Sequence, residues 1–178
     1  MRIISGIHGG RRIHPPGKMP YTRPTTDIAK EGLFNILENN LEITKLNTLD
    51  LFGGTGCISY EFASRGAYAL TIVEKDPLMF DFITKTSKDL GFSFNLIKQD
   101  VFRFLNQSGG GYDLVFAGPP YALQNIDEIP LIIFKQNILS KNGWFILEHT
   151  PANNFQEHTH FKAKRNYGTT VFSIFVNE

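Results

Sequence analysis

A glycine-rich turn after an apolar run is the segment of this sequence best suited to hold a ligand. It spans residues 49–56, LDLFGGTG, and predicts a strand, a sharp turn and the start of a helix. Glycines let the backbone approach a ligand closely, and amides at a helix N-terminus donate hydrogen bonds to polar ligand groups. A nicotinamide dinucleotide site would need a third glycine near position 59, where this chain has Ser59. A tight turn that binds nothing is the alternative for this segment alone.

Two carboxylates follow the next two predicted strands. Glu74 ends the second strand and Asp100 follows the third, so both should lie at the carboxyl edge of a parallel sheet, where ligands bind. Glu74 can accept hydrogen bonds from both hydroxyls of a ribose, and Asp100 can accept one from an adenine amino group. Each acid alone is compatible with a solvated loop. Their placement after consecutive strands predicts a site for an adenosine group.

The fourth predicted strand ends in a loop with two prolines, AGPPY, at residues 117–121. Two prolines stop a strand and fix a rigid loop, which explains them without any catalysis. A rigid loop with an exposed aromatic ring also suits a pocket that stacks a planar base and directs its exocyclic amine at a donor. The loop is therefore a candidate catalytic segment.

The elements that must position these residues are predicted from the spacing of apolar residues. From Asn47 onward, short apolar runs alternate with amphipathic stretches, which is typical of βα units and a mostly parallel sheet. The predicted strands are residues 48–52, 69–73, 94–97, 114–117 and 144–148, and the predicted helices between them are residues 58–65, 78–90, 101–106 and 127–139. A helix over residues 27–38 precedes them, and residues 160–167 and 170–176 predict a closing antiparallel hairpin.

The N-terminal segment is basic. Residues 1–30 contain six lysines and arginines but a single acid, Asp27. Gly9 and Gly10 predict a short hairpin, and the prolines that follow predict an irregular linker, so we expect a basic arm over residues 1–22 and a main domain over residues 23–178. The charge asymmetry favours an anionic polymer as partner, and a solvated arm without a partner is the alternative.

The composition excludes several classes of protein. A length of 178 residues fits one domain, and 42% apolar with 20% charged residues excludes a disordered chain and a polytopic membrane protein. The single cysteine, Cys57, cannot form an internal disulfide, and the first residues lack the apolar core of a signal peptide, so we expect a cytoplasmic protein with no membrane partner. The histidines show no metal-ligand spacing, so no metal is expected.

Taken together, these segments resemble a known family. The chain is similar to the class I S-adenosylmethionine-dependent methyltransferases, and more closely to the RsmD family, which methylates the exocyclic N2 of a guanine in bacterial 16S ribosomal RNA. The similarity covers nearly the whole chain. It is carried by RIISG (2–6), GRR (10–12), RPTT (23–26), LFN (33–35), LDLFGGTG (49–56), SRGA (64–67), VEKD (73–76), QD (99–100), PPY (119–121), LE (147–148) and YGTT (167–170).

The resemblance implies a Rossmann-like α/β fold with a seven-stranded, mostly parallel sheet, a C-terminal antiparallel hairpin and a small N-terminal β-hairpin that touches RNA. It implies S-adenosylmethionine as cofactor and 16S ribosomal RNA of the small subunit as partner, and we expect a monomer. The donor-binding residues that it implies are Thr25, Thr26, Asp50, Phe52, Gly53, Gly54, Thr55, Gly56, Glu74, Lys75, Asp100 and Val101. The implied catalytic residues are Gly118, Pro119, Pro120 and Tyr121, and the implied RNA phosphate contacts are Arg11, Arg12, Lys18 and Arg23.

One position departs from the family pattern. The family's catalytic loop begins with Asp or Asn, whose side-chain oxygen accepts a hydrogen bond from the target amine, whereas this chain has Gly118. Loss of one acceptor should slow methyl transfer by roughly 30- to 1000-fold. Either another carboxylate such as Asp127 or Glu148 takes the role, or the enzyme is slow, or the chain binds donor and RNA without transferring a methyl group. A nicotinamide-dependent oxidoreductase and a methyltransferase for small molecules or proteins are the further alternatives.

Overall fold

Strands and helices alternate along most of the chain in the computed structural model, which describes residues 1–17, 19 and 25–178. The strands are β1 (Asn47–Leu51), β2 (Ala69–Val73), β3 (Asn95–Ile97), β4 (Tyr112–Ala117), β5 (Leu139–His149), β6 (Phe161–Tyr167) and β7 (Thr170–Val176). The helices are α1 (Asp27–Asn40), α2 (Cys57–Ser64), α3 (Pro77–Asp89), α4 (Val101–Gln107) and α5 (Glu128–Lys135), and a short 3-10 turn (Ile43–Lys45) follows α1.

The strands form one seven-stranded sheet in the order β3-β2-β1-β4-β5-β7-β6. The first five pair in parallel, and β7 lies antiparallel between β5 and β6. The expected mixed α/β fold with an antiparallel C-terminal hairpin is therefore confirmed. Because parallel strands deliver their carboxyl ends to one edge, the turns after β1, β2 and β4 lie side by side.

Alternating side chains on the central strands build a core on each face of the sheet. On β4, Leu114 and Phe116 pack with α1 and α2, whereas Val115 and Ala117 pack with α4 and α5. The same alternation on β1 places Leu49 and Leu51 on the α4–α5 face, so the buried side chain of Asp50 lies on the face of α1 and α2. Because successive side chains of a strand point to opposite faces of the sheet, this alternation decides which polar side chains meet at its carboxyl edge.

Helix caps fix where three of the helices begin. Thr26 accepts a hydrogen bond from the Ala29 amide at the start of α1. Asp76 accepts from the Leu78 and Met79 amides before α3, and Asp100 accepts from the Phe102 and Arg103 amides before α4. Capping carboxylates satisfy amides that have no partner within the helix and interact favourably with its dipole.

The predicted helix over residues 127–139 is wrong at its C-terminal end. Helix α5 ends at Lys135, and β5 already begins at Leu139. Asn137 between them adopts a left-handed conformation, φ 51°, which a helix interior does not allow. The apolar run continues through this turn because Ile138 and Leu139 are buried in the same core as Ile133, so periodicity alone could not mark the boundary.

The N-terminal segment packs against the body of the protein. The predicted β-hairpin is smaller than expected, because one antiparallel bridge, Arg2 to Arg12, replaces paired strands in residues 1–17. Ile3 and Ile13 are buried beside Tyr60 and Leu90. Their burial ties the segment to α2 and to the end of α3, so residues 1–17 share a core with the main domain.

A buried carboxylate on α2 also holds this segment. Glu61 is fully buried and accepts hydrogen bonds from the Ile4 amide, 2.7 Å, and the Ser5 amide, 3.0 Å. It also forms an ion pair with the Arg65 guanidinium, 2.8 Å, and lies 3.8 Å from the ammonium of the buried Lys30. Since α2 begins directly after the glycine turn, one carboxylate connects the basic segment, α1 and the ligand-binding edge.

Candidate active site

A cavity of about 490 Å³ opens at the carboxyl edge of the sheet, where β1, β2, β4 and β5 end. It brings together most of the predicted site residues. Those that line it are Thr25, Asp50, Phe52, Gly53, Gly54, Thr55, Glu74, Lys75, Val101, Gly118, Pro119, Pro120 and Tyr121. Asp76 and Cys57 also line it and were not among the predicted site residues. Glu148 lines it as well, and the sequence offered it only as a substitute for the acceptor missing at position 118.

The glycine turn wraps one wall of the cavity. Phe52, Gly54 and Gly56 all have positive φ angles, 63°, 55° and 77°, so the backbone turns sharply between β1 and α2. A non-glycine residue in this region is uncommon and marks a strained backbone, which is typical of binding sites. The Thr55 hydroxyl is buried in this wall and has no hydrogen-bond partner among the described residues. An unpartnered buried hydroxyl fits a bound polar ligand.

Glu74 lies at the end of β2 beside this turn. One carboxylate oxygen accepts from the Gly54 amide, 2.7 Å, and the other accepts from the Asp76 amide, 2.7 Å. Burial raises the pKa of Glu74, and these amides oppose the rise. A carboxylate has about four acceptor sites, so two remain for a pair of ligand hydroxyls. The two amides also fix the carboxylate so that it faces the cavity in one orientation.

Asp100 is engaged differently from the prediction. It caps α4 with one oxygen, and its other oxygen lies 3.2 Å from the ammonium of Lys75. Lys75 and Val101 line the cavity, whereas Asp100 lies outside its lining. The predicted contact of Asp100 with an adenine amino group stays a prediction. The same holds for Thr26 and Gly56, which cap α1 and α2 and also lie outside the lining.

Asp50 is the deepest acid of the site. Its side chain is 2% exposed, and the Ser59 hydroxyl donates to it over 2.5 Å. Burial raises the pKa of Asp50 from 3.8 to about 7, with smaller contributions from the charges of Glu74 and Glu148, while the Ser59 hydrogen bond lowers it. The sequence placed Asp50 at the turn, but its unusual proton affinity follows only from the packing of α2 over β1.

The raised pKa of Asp50 makes the stability of the protein depend on pH. The folded state holds this proton more tightly than the unfolded chain, so the stabilisation is fully present below pH 3.8 and is lost as the pH rises to about 7. In that window we expect the Asp50 contribution to fall by up to about 1.4 kcal/mol per pH unit. Urea denaturation of the natural protein and Asp50→Asn should give unfolding free energies whose difference changes across this window. Parallel pH profiles would contradict the prediction.

The proline loop, which follows β4, forms another part of the cavity wall. Its Tyr121 is 42% exposed, and the Tyr121 hydroxyl donates to Glu148 Oε1 over 3.3 Å. The Thr25 hydroxyl donates to Glu148 Oε2 over 2.7 Å. Glu148 thereby links the loop after β4 to Thr25, which lies two residues before α1. The sequence signal for Glu148 was its place at the end of the fifth predicted strand.

The predicted RNA contacts are divided between the described residues and the remainder. Arg11 and Arg12 are exposed in the N-terminal segment, and Lys18 and Arg23 lie outside the described residues.

In residues 1–17, 19 and 25–178, no three His, Cys, Asp or Glu side chains cluster so as to hold a metal ion. Within the same ranges, no helix has both the length and the apolar character needed to span a membrane.

The sheet order, the antiparallel last hairpin and a ligand cavity at the carboxyl edge define a protein with the fold of the class I methyltransferases. A family model described as Conserved hypothetical protein 95 matches residues 1–176. The chain therefore belongs to this family, which is the RsmD family that its motifs resemble.

A relative agrees with this membership in sequence, and solved structures agree with the fold. The chain is 32% identical over 145 residues to ribosomal RNA small subunit methyltransferase D of Escherichia coli, an alignment that covers 81% of this chain and 69% of the relative. The fold superposes on yhhF of Escherichia coli, a candidate methyltransferase, with a TM-score of 0.88 and 24% identity, covering 100% of this chain and 98% of that one. An RNA methyltransferase from Salinibacter ruber, solved with S-adenosyl-L-homocysteine, has a TM-score of 0.68 and 17% identity, covering 87% of this chain and 94% of that one.

Proposed function

We propose that this protein transfers a methyl group from S-adenosylmethionine to the exocyclic N2 of a guanine in 16S ribosomal RNA of the small subunit, in the cytoplasm. The observation that carries the proposal is a single cavity that joins Glu74 and the glycine turn to a Pro-Pro-Tyr loop with an exposed ring. The part of the cavity at Glu74 and the glycine turn suits an adenosine-containing donor, and the part at the Pro-Pro-Tyr loop suits a planar base. The family membership and the names of its ribosomal RNA methyltransferase relatives support both the proposed donor and the proposed RNA acceptor.

The residues present fit the donor. Glu74 would accept from the ribose hydroxyls, and the Thr55 hydroxyl, which is unpartnered among the described residues, would bond a polar donor group. Asp50 would face the methionine end, and Lys75 and Val101 would line the adenine end with Asp100 beside them. When bound, the donor supplies an electrophilic methyl group on a positively charged sulfur. The cavity walls would hold the acceptor amine in line with it and exclude water.

Tyr121 would hold the acceptor base. Its ring is exposed at the cavity, and its hydroxyl is held by Glu148 and lies 3.4 Å from the Thr170 hydroxyl, so the ring is oriented before RNA arrives. Aromatic rings stack on unpaired bases without a preference for sequence. Arg11 and Arg12, with Lys18 and Arg23, would contact phosphates and give an affinity that falls as the salt concentration rises.

Replacement of Tyr121 by alanine is expected to lower the rate of methyl transfer by roughly 5- to 150-fold, because a stacked base contributes about 1–3 kcal/mol. The measurement follows a labelled methyl group from S-adenosylmethionine to unmodified 30S particles, with the product identified by nucleoside analysis. Tyr68→Ala is the matched control, since Tyr68 is 80% exposed and does not line the cavity. Label at a position other than guanine N2 would refute the proposed substrate atom.

A second candidate function is favoured by Gly118, which leaves the loop without the family's side-chain acceptor. In that case the protein binds donor and RNA but transfers no methyl group. The same assay separates the two candidates. Unlabelled particles, together with calorimetric binding of S-adenosyl-L-homocysteine, would support the binding relative over the enzyme.

A further inference from the structure

We propose that Glu148 supplies the acceptor that Gly118 lacks, so that its carboxylate receives a hydrogen bond from the 2-amino group of the target guanine. This inference rests on the proposed function and assigns a catalytic residue to it. Glu148 lies in β5, whereas the family's acceptor lies in the loop after β4.

The register of the sheet makes positions 118 and 148 neighbours. Ala117 on β4 pairs with Leu147 on β5, so Gly118 and Glu148 lie one step further along the same two strands. A Cβ atom built on Gly118 would lie 3.9 Å from Glu148 Oε2 and 3.1 Å from the Phe116 ring. The side chain of an Asp or Asn at position 118 would therefore extend into the neighbourhood that the Glu148 carboxylate already occupies.

Glu148 has unused acceptor capacity. Its two oxygens accept one hydrogen bond each from Thr25 and Tyr121, whereas a carboxylate has about four acceptor sites. The side chain is 5% exposed and lines the cavity beside the proline loop. The Tyr121 hydroxyl on which the proposed base stack depends is bonded to this same carboxylate. The acceptor and the stacking ring are therefore held in a fixed relation to each other.

The structure also decides between the two substitutes that the sequence offered. Asp127 is the N-cap residue of α5, is exposed and does not line the cavity. Glu148 is buried, lines the cavity and lies beside the glycine. Asp127 is therefore excluded as the direct acceptor.

The chemical role follows from the electron count of the transfer. The nitrogen lone pair forms the new N–C bond while the S–C bond breaks and its electron pair stays on sulfur. Positive charge develops on the nitrogen, and a carboxylate that accepts an N–H hydrogen bond stabilises that charge in a buried site. The amine then loses one proton to the Glu148 carboxylate, which passes it to solvent.

Moving the carboxylate from position 148 to position 118 tests the effect of the acceptor on the rate of methyl transfer. In the 30S assay, we expect Glu148→Gln to lower kcat on the order of 10- to 100-fold, since a neutral acceptor is weaker than a charged one. Gly118→Asp in the Glu148→Gln background should raise kcat again by at least about tenfold, because the new aspartate supplies a carboxylate from the loop after β4. In the natural background, Gly118→Asp should give no gain, because two close carboxylates share a proton. Glu42→Gln, an exposed site on another edge of the protein, is the isosteric control.

The kinetic outcomes separate the inference from the proposed function. If Glu148→Gln keeps full activity, the acceptor role is wrong while the methyltransferase assignment stands. If the natural protein is inactive and Gly118→Asp alone labels the particles, the role is equally wrong and the chain is a binding relative. If no protein labels the particles, the proposed function fails.

A binding measurement tests the same contact without turnover. The carboxyl carbon-13 signal of Glu148, assigned by its loss in Glu148→Gln, should shift when guanosine monophosphate binds in the presence of S-adenosyl-L-homocysteine. Inosine monophosphate lacks only the 2-amino group and should leave the signal in place. Calorimetry with S-adenosyl-L-homocysteine should give donor affinities for Glu148→Gln within about threefold of the natural protein. Equal shifts with both nucleotides, or no shift at saturation, would overturn the inference.

Discussion

Replacement of Glu61 by alanine is expected to lower the free energy of unfolding by about 3–5 kcal/mol, a large fraction of the stability of a domain of this size. Glu61 is fully buried, and the substitution removes the acceptor of the Ile4 and Ser5 amides. It also leaves the buried Lys30 ammonium without its carboxylate partner. Removing one partner of a buried pair costs more than the pair contributes, because the other charge stays in the interior.

Urea denaturation followed by circular dichroism measures this effect, and Glu42→Ala is the matched control. The Glu42 carboxylate lies 2.8 Å from the Lys45 ammonium, but both side chains are more than half exposed, so its loss should cost below about 1 kcal/mol. A further readout is proteolysis of residues 1–17, which should accelerate in Glu61→Ala because the segment loses two of its hydrogen bonds. Equal unfolding free energies for the two variants would contradict the prediction.

Replacement of Glu74 by alanine is expected to weaken donor binding by roughly 100- to 1000-fold, or about 3–4 kcal/mol. Hydrogen bonds to a charged group contribute about 1.5–3 kcal/mol each, and this carboxylate is expected to accept two from the donor ribose. Its loss also frees the Gly54 amide, so the glycine turn loses a contact that fixes its shape. Both effects act on donor affinity and leave unchanged the basic residues of the N-terminal segment that are proposed to contact RNA.

Calorimetric titration with S-adenosyl-L-homocysteine measures the affinity. Asp81→Ala is the control, because Asp81 is an exposed acid on α3, the helix that follows Glu74, and does not line the cavity. Binding of 30S particles in low salt should stay within about threefold for both variants. A Glu74→Ala protein that binds the donor as tightly as the natural one would show that the ribose lies elsewhere.

The fold could be predicted from the sequence wherever a single local rule decides the structure. Strands β2 and β7 match their predicted bounds because each is an apolar run between clear breaks. The end of α5 could not be found this way, since Ile133 and Ile138 belong to one buried cluster although a turn separates them. The small size of the N-terminal bridge was also unpredictable, because Ile3 and Ile13 pack on α2 rather than on a partner strand.

The site was predictable where residues follow the ends of strands, and less so where distant segments meet. Glu74 and the glycine turn are neighbours because β1 and β2 are adjacent and parallel. The proximity of positions 118 and 148 follows from the register of β4 and β5, which sequence spacing does not give. Glu61 had no signal at all, since its amide partners lie more than fifty residues away along the chain.

The position of β7 in the sheet affects the order in which the fold is completed during synthesis of the chain. The chain emerges in order, so β5 is made before β7, yet β7 pairs with β5 along Trp144 to His149. Until residues 170–176 have emerged, β5 is an edge strand whose free amides and carbonyls invite pairing with other nascent chains. Thr170, which lies beside the Tyr121 hydroxyl, arrives with that same strand. Closure of this sheet edge and the arrival of Thr170 beside Tyr121 are therefore a single event in the formation of the fold.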